Sequence, residues 1–186
     1  MTGFAITGSF CTHSRALAEM KKLRETGVDL VPIFSECAYS TDTRFGSANN
    51  TVKEAEEICG RSVVHTITES EKFGPAVRLD ALIIAPCTGN TAAKIVAGIT
   101  DTAVCMAAKA HLRRSAPLLL AVATNDALGA NLSNIAALLN RKSIYLVPMH
   151  QDDPVGKPHS LVADFSSLPE AYKAMLEGRQ LRPVFI

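Results

Sequence analysis

Residues 3–34 read GFAITGSFCTHSRALAEMKKLRETGVDLVPIF and hold a complete strand, helix and strand in succession. The apolar run Phe4, Ala5 and Ile6, set between Gly3 and Gly8, predicts a short buried strand. From His13 to Thr26 the apolar residues Leu17, Met20 and Leu23 recur at helical spacing, with Lys21, Lys22 and Glu25 on the opposite side. Gly27 supplies the C-terminal stop, and Val28 to Phe34 reads as a second strand. Short connections between a strand, a helix and a strand are the start of a parallel α/β sheet.

The same alternation continues through the chain. Ser35 to Phe45 is polar and turn-like, Asn50 to Cys59 predicts a helix closed by Gly60, and Val63 to Ile67 predicts a short strand. Thr68 to Arg78, with Gly74 and Pro75, reads as a loop. Strands are then expected at Leu79–Ala85, Pro117–Ala123 and Ser143–Val147, with helices at Gly89–Ile99, Ala103–Arg113 and near Leu128–Leu139. A polar loop from Pro148 to Ser160 and a closing helix, Leu168 to Leu176, complete the reading. Continuous apolar strands imply that helices cover both faces, so the expectation is a three-layer α/β sandwich around a doubly wound parallel sheet. With 186 residues, 47% of them apolar, one domain spanning 1–186 accounts for the chain.

Composition excludes several functions. The formal net charge is +1 and no basic run is interleaved with aromatics, which argues against nucleic-acid binding. Apolar stretches such as Ala116–Ala123 fall far short of the roughly 20 residues that cross a bilayer, and the N-terminus has no leader pattern, so a soluble, cytoplasmic chain is expected. Five cysteines, at 11, 37, 59, 87 and 105, are odd in number and form no C-x-x-C pair, which fits reduced thiols and no metal site.

In a doubly wound sheet, ligands sit where the strands' C-terminal ends meet the N-termini of the following helices. Four such ends carry concentrated polar residues: Gly8-Ser9-Phe10-Cys11-Thr12-His13-Ser14, Ser35-Glu36, Pro86-Cys87-Thr88-Gly89-Asn90-Thr91 and Thr124-Asn125-Asp126. The first is neither G-x-x-x-x-G-K-[ST] nor G-x-G-x-x-G, so neither a P-loop nor a standard dinucleotide fingerprint is present. Its hydroxyls suit a phosphate, or equally a helix N-cap. The Pro86–Thr91 loop suits a planar polar ligand or a phosphate, or an elaborate capping turn. Asn125-Asp126 reads as a ligand contact or as an Asx turn.

These loops, in this order, resemble the flavoprotein family that includes cysteine-peptide decarboxylases, phosphopantothenoylcysteine decarboxylase and prenyl-flavin synthases. The shared features are Gly8-Ser9, Pro86-x-Thr88-x-Asn90-Thr91, the stretch from Ala93-Lys94 to Gly98-Ile99-x-Asp101, and Asn125 after the following strand. Closer likeness, over nearly the whole chain, is to a branch from spore-forming bacteria. It rests on Thr41-x-Thr43-Arg44-Phe45-Gly46, Met106-Ala107-Ala108-Lys109-Ala110, the ATNDALG of residues 123–129, Gln151-Asp152-x-Pro154 and Lys157-Pro158-x-Ser160.

The resemblance implies a flavodoxin-like Rossmann fold, a flavin mononucleotide (FMN) site at the sheet's C-terminal edge, and a homo-oligomer. Carried over by residue, Gly8, Ser9 and Thr12 would hold the phosphate with Ser35 beside it, and Thr88, Asn90 and Thr91 would border the ring, with Asn125 also at the cofactor. Where the decarboxylases have Pro-Ala-Met-Asn this chain has Ala123-Thr124-Asn125-Asp126, and their early-helix catalytic His has no equivalent, which argues against cysteine decarboxylation.

The branch implies a part in oxidising dihydrodipicolinate, or its hydroxylated tetrahydro precursor, to pyridine-2,6-dicarboxylate in the mother cell during sporulation. A second subunit resembling a nicotinamide-dinucleotide dehydrogenase would bring NADP. Two alternatives stand beside it: a non-catalytic scaffold with a vestigial flavin pocket, and an FMN-dependent decarboxylase of small carboxylates. A dicarboxylate calls for fixed cations, and Arg44 and Lys157, in the polar loops, are the candidates. Aromatisation also releases a proton, for which His13 and His150 are the candidate acid/base groups, whereas His111 suits a helix C-terminus.

Overall fold

The computed structural model describes every residue except Pro75, so that part of the expected 68–78 loop lies outside the described residues. The opening unit forms as read: β1 (Thr2–Ile6), α1 (His13–Glu25) and β2 (Leu30–Phe34), with β1 and β2 parallel and Ile6 opposite Phe34. Every residue of both strands is buried. Gly27 follows α1 at φ +89°, a left-handed position that a side chain would strain.

On the other flank of β1 lies β3 (Ala81–Cys87), and beyond it β4 (Leu118–Thr124), both parallel. The order β2-β1-β3-β4 places the reversal of winding between β1 and β3. The outer edge of β4 is shared. Its first half pairs parallel with β5 (Ile144–Leu146), and Ala123 and Thr124 pair antiparallel with β7 (Leu161–Ala163), which carries β6 (Met149–His150) outside it. The doubly wound parallel sheet is thus formed by β1 to β5, and an antiparallel pair on its edge brings the total to seven strands. The segment joining β6 to β7 is too short for the crossover that a parallel pair needs, so the two form a hairpin.

Alternation along each strand feeds two cores. Phe4, Ile6, Leu119 and Ala121 face α1, α3 (Ala48–Cys59) and α8 (Leu168–Leu176). Ala5, Leu118, Leu120 and Val122 face α5 (Gly89–Ala97), α6 (Ala103–Leu112) and α7 (Leu132–Leu139).

Four local expectations change, one being the 148–160 polar loop, which opens with β6. The turn-like 35–45 segment contains α2 (Glu36–Ser40), capped by Ser35. Residues 63–67 make only a single bridge, Ile33 to Val64, because Thr66 instead starts α4 (Ile67–Glu71) through a capping box with Glu69. Residues 128–131 form turns, so α7 begins at Leu132 rather than near Leu128.

Leu119 is fully buried in the centre of β4. Leu119→Ala is expected to lower the unfolding free energy by about 2–5 kcal/mol, read from urea midpoints at unchanged m-value.

Candidate functional site

The loops after β1 and β3 are tied by Thr7, a fully buried hydroxyl. Its Oγ1 donates to the Pro86 carbonyl at 2.8 Å and accepts from the Thr88 N–H at 3.1 Å. Its own carbonyl accepts from Ser9 N–H and from His13 Nε2, each at 2.8 Å. From this tie the chain runs to opposite faces, into α1 and into α5, and opens a crevice between them.

Two cavities lie at this end of the sheet, and the larger of the two, about 550 Å³, is at that reversal of winding. Gly8 forms its floor with Thr7; Ser35, Glu36, Cys37 and Ser40 come from the end of β2 and α2; Thr88, Asn90, Thr91 and Lys94 come from the start of α5, and Thr102 closes it. Ser35 Oγ accepts from Ala38 N–H, and Thr88 Oγ1 accepts from Thr91 N–H at 3.2 Å. Both residues are therefore N-caps that also line a cavity, so the capping and ligand readings of these loops are compatible. Asn90 is exposed and its amide has no partner among the described residues. Lys94 sits on the same face of α5 and pairs with Asp101 at 2.9 Å.

A second crevice of about 180 Å³ adjoins the first across the Gly8–Ser9 peptide. Ser9, Cys11, Thr12 and Arg15 line it from the β1–α1 turn, Thr124 and Asn125 from the end of β4, and Asp152, Lys157 and Ser160 from the β6–β7 loop. Asp152 accepts from Lys157 Nζ and from Ser160 Oγ, both at 2.8 Å. The lysine contact holds the Asp152 carboxyl below the usual carboxylate range and raises Lys157 in return. Arg15 is exposed and makes no ion pair among the described residues.

The expected phosphate quartet is thus divided. Gly8 and Ser35 face the larger cavity, while Ser9 and Thr12 face the smaller one, and the Thr12 hydroxyl donates to the Ser9 carbonyl. Thr88, Asn90 and Thr91 meet as expected, and Asn125 joins Ser9 and Lys157. Asp126 turns inward, accepting from Thr124 Oγ1 and from Asn131 Nδ2 at 2.9 and 2.8 Å, and these bonds keep its carboxyl low.

Three expectations require correction. Arg44 sits on an exposed turn with its guanidinium 4.9 Å from the Phe45 ring and lines neither cavity. His13 is buried with Nε2 engaged by Thr7, and burial lowers its pKa, so it holds the loop and does not reach either cavity. His150, paired with Val162 at the edge hairpin, also lines neither. The folded chain turns each of them away because short-range position in sequence does not set the direction of a side chain.

Thr7, Arg15 and Lys94 are among the lining residues that sequence reading did not assign to the site, with Glu36, Cys37, Ser40, Thr102, Asp152 and Ser160. Lys94 had a signal, since Asn90, Thr91 and Lys94 recur at i, i+1 and i+4 of one helix. Thr7 had none, because its role is a bond to residues some eighty positions away.

Residues 2–163 match the family model described as Flavoprotein. The chain belongs to that family. It is 39% identical, over 99% of its own length and 92% of the relative's, to the B-type subunit of dipicolinate synthase from Bacillus subtilis (strain 168). The crystal structure of the B-type dipicolinate synthase subunit from Bacillus halodurans C superposes with a TM-score of 0.91 at 41% identity, covering 100% of this chain and 95% of that one. The FMN-dependent cysteine decarboxylase SpaF shares the fold alone, at TM-score 0.71 and 19% identity over 95% of each chain. The flavodoxin-like fold that the family resemblance implied is the Flavoprotein fold, with the β6–β7 hairpin on the edge of its doubly wound sheet.

In this Flavoprotein chain Gly89 is closely packed by side chains: a Cβ there would meet the Asn131 amide and lie 2.6 Å from Thr124 Oγ1. Gly89→Ala is expected to cost about 1–3 kcal/mol by urea denaturation, because neither contact can retreat without breaking the Asp126 network.

His13 and His111 are both held neutral by burial, and His111 Nε2 is bonded to the Pro117 carbonyl at 2.9 Å. Below the ordinary value of 6.5 the unfolded chain binds protons that the folded rings resist, so stability present above that pH is lost as pH falls through it. The urea midpoint should decline between pH 7 and about 5.5, and His111→Gln should flatten that slope.

Proposed function

We propose that the chain is the B-type subunit of a dipicolinate synthase, oxidising dihydrodipicolinate or its hydroxylated tetrahydro precursor to dipicolinate together with an NADP-binding A subunit. The setting is the mother cell of a sporulating bacterium, with the chain as a homo-oligomer. The observation that carries this reading is the pair of adjoining crevices at one sheet edge, the smaller bearing Arg15 and Lys157 beside Ser9 and Asn125. Arg15, which has no ion pair among the described residues, and Lys157, which shares its charge with Asp152 in the same lining, suit a small dicarboxylate, because each carboxylate gains a charge-assisted hydrogen bond. Arg15 takes the place that the sequence assigned to Arg44.

The larger cavity is proposed as the flavin site. Its volume is in the range of ligand pockets, and the unpartnered Asn90 amide and the Ser35 hydroxyl offer hydrogen bonds to a planar polar ring system. A flavin bound there supplies two-electron transfer between the substrate and a nicotinamide.

This chain's own residues then bind and orient. Lys157, with its charge shared by Asp152, and Arg15 hold the carboxylates; Asn125 and Ser9 donate to them; Thr7 keeps the two loops at a fixed separation. Aromatisation removes a hydride and a proton. Neither His13 nor His150 lines a crevice, so proton removal is assigned to the A subunit or to water.

Turnover of dihydrodipicolinate with NADP is measured for this chain alone, for the dehydrogenase-like partner alone and for both. Activity is expected only for the pair. Arg15→Ala and Lys157→Ala should each raise KM about tenfold or more with the two proteins still associated by size-exclusion chromatography. If those variants, together with Thr88→Ala and Asn90→Ala, lose activity only when association is lost, the chain is a scaffold and the binding reading fails.

A further inference from the structure

The far end of α5 from the crevices, about 13 Å along the helix, carries a different kind of recess. Gly98 closes α5 in a left-handed turn at φ +73°, and Ile99 just beyond it is 47% exposed. Ile95 and Ile99 stand along one bank of an apolar groove of about 360 Å³, and Ala108 and Leu112 of α6 along the other, each pair four residues apart. Every charged residue lining it is a cation. Lys109 and Arg113 lie one turn apart on the α6 bank and Arg141 lies on the α5 bank, all three exposed. At Arg141 the groove meets a wider depression beside β5, about 970 Å³, whose other charged residues are Lys142 and Arg182. None of these five makes an ion pair among the described residues.

This concentration of charge is local. The whole chain carries a formal charge of +1, and each crevice of the candidate site includes an acid, Glu36 in one and Asp152 in the other. We propose that the groove docks an acidic amphipathic helix of a partner protein, with apolar side chains on the groove floor and carboxylates on Lys109, Arg113 and Arg141. The groove shares no lining residue with either crevice, so the proposal is independent of the function given above and leaves both crevices open.

Three features select that occupant. An apolar floor between cationic banks is the complement of a helix whose apolar stripe is flanked by acids, since side chains three and four apart share one face. Lys109 and Arg113, one turn apart, match carboxylates one turn apart. Arg141 is already held in place: Nη1 donates to the Ile95 carbonyl at 3.2 Å and Nη2 to the Val96 carbonyl at 2.8 Å. Those bonds tie the guanidinium to the last turn of α5 and reduce the entropy lost when a carboxylate binds. Nucleic-acid phosphates would satisfy the cations and leave the apolar floor unmatched, and a membrane surface takes a protruding apolar face rather than a recess.

The full chain is titrated into a fluorescein-labelled peptide of roughly 15 residues, about the shortest that holds a helix in water, with Leu at helical spacing and Glu beside each Leu. A companion peptide has Gln for every Glu, and a third has Lys. By fluorescence anisotropy the Glu peptide should bind about tenfold or more tighter than the Gln peptide, and Ile99→Ser should weaken it about fivefold. Lys109→Glu combined with Arg113→Glu should invert the preference, losing the Glu peptide and gaining the Lys peptide, at an unchanged urea midpoint. Should that double variant unfold, the Glu-to-Gln ratio on the wild type decides. Equal binding of the Glu and Gln peptides overturns the proposal, as does tighter binding of a DNA duplex or of phosphatidylglycerol vesicles at about 0.15 M salt. A smaller native mass of the double variant overturns it too, by making the groove a contact with a second copy of this chain.

Discussion

A single hydroxyl joins the two halves of the site. Thr7 donates to the carbonyl of Pro86 and accepts from the amide of Thr88, so the turn after β1 and the turn after β3 cannot separate or slide. In a parallel sheet the C-terminal ends of adjacent strands expose backbone groups that nothing in the ladder satisfies. Thr7 answers two of those groups from within the interior, and what lies above it is left for a ligand. Without that tie the β3 loop would have only its own capping bonds, between Thr88 and Thr91, to hold its shape.

Two crevices follow from the divergence of the chain above Thr7. Helices α1 and α5 leave for opposite faces, and the Gly8–Ser9 peptide stands between the spaces they open. One space is walled by hydroxyls, an unpaired carboxylate and a lysine already matched to Asp101. The other has Arg15 and the Lys157–Asp152 pair facing the end of β4. The β6–β7 hairpin supplies Asp152, Lys157 and Ser160, which means the antiparallel edge of the sheet is the element that completes the second space.

Polar groups outside the crevices serve the frame. Asp126 is held by Thr124 and Asn131 against Gly89, and His13 is fixed under the β1 loop. Adjacent residues therefore divide their labour: Asn125 faces a crevice and Asp126 the scaffold, Gly8 faces one crevice and Ser9 the other. A turn presents successive side chains in different directions, which is why a polar loop cannot be treated as one binding unit.

The amino-acid sequence alone determined the layered fold, the position of β1, α1, β2, β3, α5, α6 and β4, and the edge at which polar residues gather, because hydrophobic period and glycine stops are local properties. It also placed Thr88, Asn90 and Thr91 together, since they lie within one helical turn. Only the tertiary structure decided that Arg15 rather than Arg44 stands beside Lys157, that His13 bonds to a carbonyl, and that the short segment Leu161–Ala163 pairs antiparallel with β4. Each of these depends on contacts between distant residues or on the direction of one side chain, and neither leaves a period in the sequence.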